Sequence, residues 1–135
     1  MATDIIPIAG ATSIEVGRAF RTALLLVGTT ATAEAAVLGG IDGCKDLSFY
    51  HLLLQTVKSA IRLRARSRHA SDAPEQLPPE LRRLFKLDLL LRDVFVLRIL
   101  AGFAPEVCAE LLHISISEFE RALHDAFDQV PAAIG

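Results

Sequence analysis

Apolar residues recur along this chain at the three- and four-residue spacing of one helical face, and nowhere do they alternate with polar ones long enough for a strand. A period near 3.6 confines each apolar stripe to one side of a helix, so the stripes must be buried by packing helix on helix. The expected fold is all-α, in two small helical units joined by a Pro-containing linker. With 135 residues, 52% of them apolar, the chain has material for one domain or for two very small ones that share some of their core. Its longest apolar run, Ala23 to Val27, falls far short of the ~18 residues a membrane span requires, so no membrane partner is expected. Residues 1–17 carry Asp4 and Glu15 and no Lys or Arg, unlike a secretory leader, and a cytoplasmic protein is expected.

Residues 1–13 hold Pro7 and Gly10 without a helical period and read as a loose arm. Ile14, Val16, Phe20, Ala23, Leu24 and Val27 predict a first helix from Ser13, stopped by Gly28. Thr32 can cap a short second helix that runs through Leu38 and stops at Gly39-Gly40. Ser48 then opens a long helix whose stripe is Phe49, Leu52, Leu53, Thr56, Val57, Ala60, Ile61 and Leu63. Residues 71–79, with Pro74, Pro78 and Pro79, form the linker, and the boundary is placed near Pro74. The units are thus expected at 13–70 and 80–130. In the second, Leu89 to Leu100 is apolar on most faces and reads as largely buried, Gly102 ends it, and Pro105 opens a short helix to Leu112. After a break at His113-Ile114, a last helix runs from Ser115 to about Val130, closed by Pro131, and the pair forms a helix-turn-helix.

Chemistry is harder to find. There is no G-x-S-x-G, no Gly-rich phosphate loop and no H-E-x-x-H, so no enzyme, cofactor or small-molecule substrate is expected. His51, His69, His113 and His124 are scattered, and Cys44 and Cys108 are too few and too far apart for a disulfide framework or a metal knuckle. Both cysteines read as buried thiols of a reducing compartment. Charge is more informative: 14 Lys and Arg stand against 16 Asp and Glu, whereas free-standing nucleic-acid binders are usually basic. One basic cluster exists, Arg62, Arg64, Arg66 and Arg68, which suits a helix C-terminus through the macrodipole and is also the best candidate surface for nucleic acid or an acidic partner.

The segment Arg92-Asp93-Val94-Phe95-Val96-Leu97-Arg98-Ile99-Leu100-Ala101-Gly102-Phe103, followed by Ala109-Glu110-Leu111-Leu112-His113-Ile114-Ser115, resembles region 4 of sigma-70-family transcription initiation factors of the short extracytoplasmic-function group. In that family R-E-V-F-x-L-R precedes G-L-S-x-x-E-I-A-x-x-L-G-I-S, and the second helix of the pair reads promoter DNA in the major groove. Ala19 to Leu24 and Ala33 to Val37 resemble the family's region 2, and Phe49 to Arg68 its promoter-melting helix, with Leu52 and Ser59 where Trp and Asn usually stand. The resemblance implies a transcription initiation or regulatory protein whose partner is RNA polymerase or a sigma-regulating protein.

The departures alter that expectation. The surface of the DNA-reading helix would be Ser117, Glu118, Glu120, Arg121 and Asp125, with Glu120 and Asp125 where the family carries Lys and Arg, and with Ala122 and Phe127 in place of two more Arg. Phe119, Leu123 and Ala126 keep the packing face. From His113 to Gly135 a single Arg faces Glu118, Glu120, Asp125 and Asp128, a net of 1 − 4 = −3. Carboxylates facing phosphates repel, so DNA binding is expected to be weak. Glu118 has a separate reason to be there, since Ser115-Ile116-Ser117-Glu118 fits a capping box. Where the family's polymerase-contacting D-L-V-Q-E stands, this chain has Ala36-Val37-Leu38-Gly39-Gly40, an apolar stretch that suits a partner or a buried face. The alternative function is therefore a sigma-like protein-interaction module that has lost promoter recognition.

Overall fold

The computed structural model describes residues 13–43, 48–66, 74, 75 and 77–134, and every described secondary-structure element is helical. The all-α expectation is met. The chain divides into two compact units, Met1–Ala70 and Ser71–Gly135.

In the first unit, α1 (Ser13–Val27), α2 (Thr30–Gly43) and α3 (Phe49–Arg66) pack together, each against the other two. Helix α1 ends where its sequence says it should: Gly28 takes a φ of 87°, and its N–H bonds the Leu24 carbonyl at 2.9 Å. Helix α2 starts earlier than expected. Thr29, not Thr32, is its cap, for the Thr29 hydroxyl accepts the Thr32 N–H at 3.3 Å and donates to the Thr32 hydroxyl at 2.8 Å. In α3 the Ser48 hydroxyl accepts the His51 N–H at 3.2 Å. The same hydroxyl lies 2.7 Å from His51 Nδ1, a cap closed by an imidazole.

Helix α2 also runs through Gly39-Gly40 to Gly43 rather than stopping there. Close approach explains these glycines. A Cβ on Gly39 would come within 2.5 Å of the Ser59 hydroxyl, and one on Gly40 within 2.8 Å of the Thr56 backbone nitrogen. The two glycines therefore let α2 lie almost directly on the backbone of α3, and the helical propensity they sacrifice is offset by contact. Thr56 and Ser59 are buried at this crossing, and the Thr56 hydroxyl has no hydrogen-bond partner. Leu24, Leu26, Leu52 and Val57 complete the core.

The second unit opens with Pro74 and Leu77, both buried, and a turn in which the Leu77 N–H bonds the Pro74 carbonyl at 3.3 Å. Helix α4 (Pro79–Arg82) passes into a 3-10 turn (Arg83–Lys86), and α5 (Leu89–Phe95) continues as a π-helical turn (Val96–Leu100). Burial along Leu89–Leu100 is central. Leu91, Val94, Val96 and Leu97 are in the core with Arg92 and Asp93, on all sides of the helix, but Leu89 and Leu90 at its start and Ile99 and Leu100 at its end are exposed, because an apolar segment is buried only as far along its length as neighbours cover it. The Arg92 guanidinium lies 4.2 Å over the Phe85 ring. Gly102, with a φ of 83°, ends this segment. Helix α6 (Pro105–Leu112) follows with Pro105 in its first turn, and α7 (Ile116–Ile134) carries Phe119, Ala122, Ala126 and Val130 into the core. Helix α7 does not stop at Pro131. A proline one turn from a helix end removes a single late backbone bond, which the helix tolerates there.

Candidate functional site

The turn between α6 and α7 is built by capping on both sides. His113 closes α6 in the left-handed conformation, with φ 59° and ψ 44°, and the Ile114 N–H returns to the Ala109 carbonyl at 3.0 Å. On the other side the capping box forms as its sequence requires: the Glu118 N–H bonds the Ser115 hydroxyl at 3.0 Å, and the Ser115 N–H bonds Glu118 Oε1 at 3.0 Å. The backbone N–H of Ser115 first, and its hydroxyl second, hold the Glu118 carboxyl below its ordinary pKa by favouring the charged form.

This frame sets the rotation of α7. Ser117, Glu118, Glu120, Arg121 and Asp125 all face solvent, as do His124 and Asp128, whose side chains approach to 3.7 Å. Ala122 does not. It is buried beside Phe119 and Ala126, so it belongs to the packing face, which the resemblance alone did not reveal. Phe127 is half exposed and meets Phe95 edge to face, with ring centroids 6.3 Å apart. The accessible face of α7 thus combines four carboxylates with one arginine and an aromatic edge.

The two described side chains of the basic cluster stand in different settings. Arg62 is exposed, whereas Arg64 is half-buried and its guanidinium donates to the Leu26 carbonyl at 3.1 Å, tying the end of α1 to α3. The Arg66 side chain and Arg68 lie outside the described residues. Among the described residues, no group of three His, Cys, Asp or Glu is placed to hold a metal ion, and no helix is long and apolar enough to cross a membrane. Cys108 is buried and its thiol donates to the Phe103 carbonyl at 3.6 Å; burial pushes its pKa up to about 11. Cys44 lies outside the described residues.

A second surface lies on the first unit. Of the stretch Ala36 to Gly40, Ala36, Val37 and Gly40 are buried and Leu38 is 63% exposed. Leu38 borders an open groove of about 580 Å³ between α1 and α2, formed with Val16, Gly17, Phe20, Val37 and Ile41, and with Glu34 at its rim. Gly17 was not singled out from sequence. The available signal was a lone glycine inside an otherwise good helix.

No family model matches the chain, and no curated protein matches it. Among solved structures it is similar to the sigma factor RpoE in complex with the anti-sigma factor NepR from Bartonella quintana, with a TM-score of 0.65 and 15% identity over 89% of this chain and 91% of that one. The likeness establishes a sigma-like, all-α fold for this chain.

Proposed function

We propose that this chain is a sigma-like regulator of transcription that acts chiefly through protein contacts, with residues 13–70 standing for region 2, residues 71–79 for the linker and residues 80–130 for the region 4 helix-turn-helix. The observation that carries this reading is the exposed face of α7, where Glu118, Glu120, Asp125 and Asp128 outnumber Arg121. Base and phosphate contacts come mostly from Arg, Lys, Asn and Gln, and this face offers the wrong sign for either. The helix-turn-helix frame persists while its DNA-facing charge is reversed. Its partner is RNA polymerase or a sigma-regulating protein, a reading supported by the likeness to a sigma factor held by an anti-sigma factor.

Fluorescence anisotropy with a promoter-like duplex tests this. At about 150 mM salt the unmodified chain should bind no tighter than the roughly 1–100 µM range of non-specific association. Glu120→Lys with Asp125→Arg, both at exposed positions, should bring affinity up and steepen the salt dependence by about 0.9 per phosphate gained, while Ala122 is left in the core. Sub-micromolar binding by the unmodified chain, unimproved by Glu120→Lys, would show an ordinary promoter-reading factor instead.

A further inference from the structure

Gly17 sits in the second turn of α1 with an ordinary helical backbone, and a Cβ built there would meet nothing within 4 Å. A glycine inside a helix is destabilising relative to alanine, and here neither a turn nor a described neighbour requires one. It leaves a depression in the floor of the α1–α2 groove. On the same face stand Ile14 and Leu38, at 74% and 63% exposure the two most exposed large apolar residues described. Hole and knob share one patch.

We propose that this groove is a self-association surface, and that its occupant is the same groove of a second copy of the chain. Helices α1 and α2 are joined by Gly28 and Thr29 alone, and Ser13 to Phe20 faces Ile41 to Glu34 across the groove, so the two run antiparallel. A two-fold axis along the helix pair lays α1 of each copy over α2 of the other, an isologous contact. Counting from the turn, residue 17 lies level with residue 40 and residue 21 with residue 36. Leu38 therefore comes within two residues, about 3 Å of helical rise, of the partner copy's glycine depression. The same register brings Arg21 within two residues of Glu34 across the axis, twice per dimer, so the charges on this patch complement themselves. A patch that supplies its own knob, hole and opposite charges fits a second copy better than an unrelated helix. This inference does not depend on the role of α7.

Sedimentation equilibrium of the full chain tests it, with helicity followed to confirm that each variant folds. A reversible dimer is expected. Leu38→Arg and Gly17→Met should each raise its dissociation constant at least about tenfold. Arg21→Glu and Glu34→Lys should each weaken it, and the two together should return it to within about threefold of the original, because each reversed charge again meets its opposite. A chain that stays monomeric to about 200 µM overturns the proposal and leaves the groove to another occupant. A dimer indifferent to Leu38→Arg and to the charge exchange overturns it as well, since pairing would then run through another face, such as the exposed edge of Phe127.

Discussion

Gly39-Gly40 of the first unit and Gly102 of the second use glycine for opposite purposes. In the first, Gly39 and Gly40 lie inside a helix and serve a contact between helices, since Thr56 and Ser59 occupy the space their side chains would take. In the second, Gly102 has nothing within 4 Å of where its Cβ would be, and it serves the backbone alone, through a φ of 83°. The crossing of α2 and α3 is closed by a fit between distant segments, and the end of the π-helical turn by a signal within its own few residues. Identical residues at a glance thus carry different energies and are sensitive to different changes.

That difference can be broken most forcefully at Gly40. Gly40→Val would force α2 off the Thr56 backbone, and we expect a loss of about 3 kcal/mol, at the upper end for overpacking, read by urea unfolding and by faster amide exchange in α2 and α3. Gly102→Ala should cost about 1–2 kcal/mol for a left-handed alanine, with the exchange confined to the second unit. Equal losses at the two positions would erase the distinction. Of intermediate size are two local devices. Ser115→Ala should cost about 1 kcal/mol through the lost cap of α7. Arg64→Met should cost about 1 kcal/mol through the freed Leu26 carbonyl, while Arg62→Ala, at an exposed position, should stay within about 0.5 kcal/mol. The smallest effect is the pH dependence of Glu118. Its folded pKa is lowered, so its contribution is present above the unfolded value and fades as pH falls through the folded one. The stability difference between the original chain and Glu118→Gln should accordingly be seen at neutral pH and vanish in acid.

What the sequence disclosed follows the same division. Gly28, Ser48, Gly102, Pro105 and the Ser115–Glu118 box were legible because cause and effect lie within one turn of each other. Gly39-Gly40 looked like a stop because the reason for those glycines stands at Thr56 and Ser59, on another helix. Thr32 looked like a cap because Thr29, three residues earlier, carries the same hydroxyl. At the candidate site, the resemblance supplied the order of helices and the reversal of charge on α7. It did not supply the rotation of that helix, and so Ala122 looked like a surface position where an arginine could stand. Arg64 looked like one of four equivalent charges, for nothing near it in sequence announces that its partner is a carbonyl at the end of α1. Exposure along Leu89–Leu100 was hidden for a related reason: hydrophobicity says which residues favour burial, not how many neighbours arrive to bury them.

The buried thiol of Cys108 has a use in time rather than in structure. With no exposed surface and a pKa pushed up to about 11, it is shielded from an alkylating reagent at neutral pH as long as α6 stays packed. Its labelling, separable by peptide mass from that of Cys44, is then a stopwatch for the second unit alone. When the reagent is dilute the rate reports how large a fraction of molecules is open, and when it is concentrated the rate levels off at the speed of opening itself.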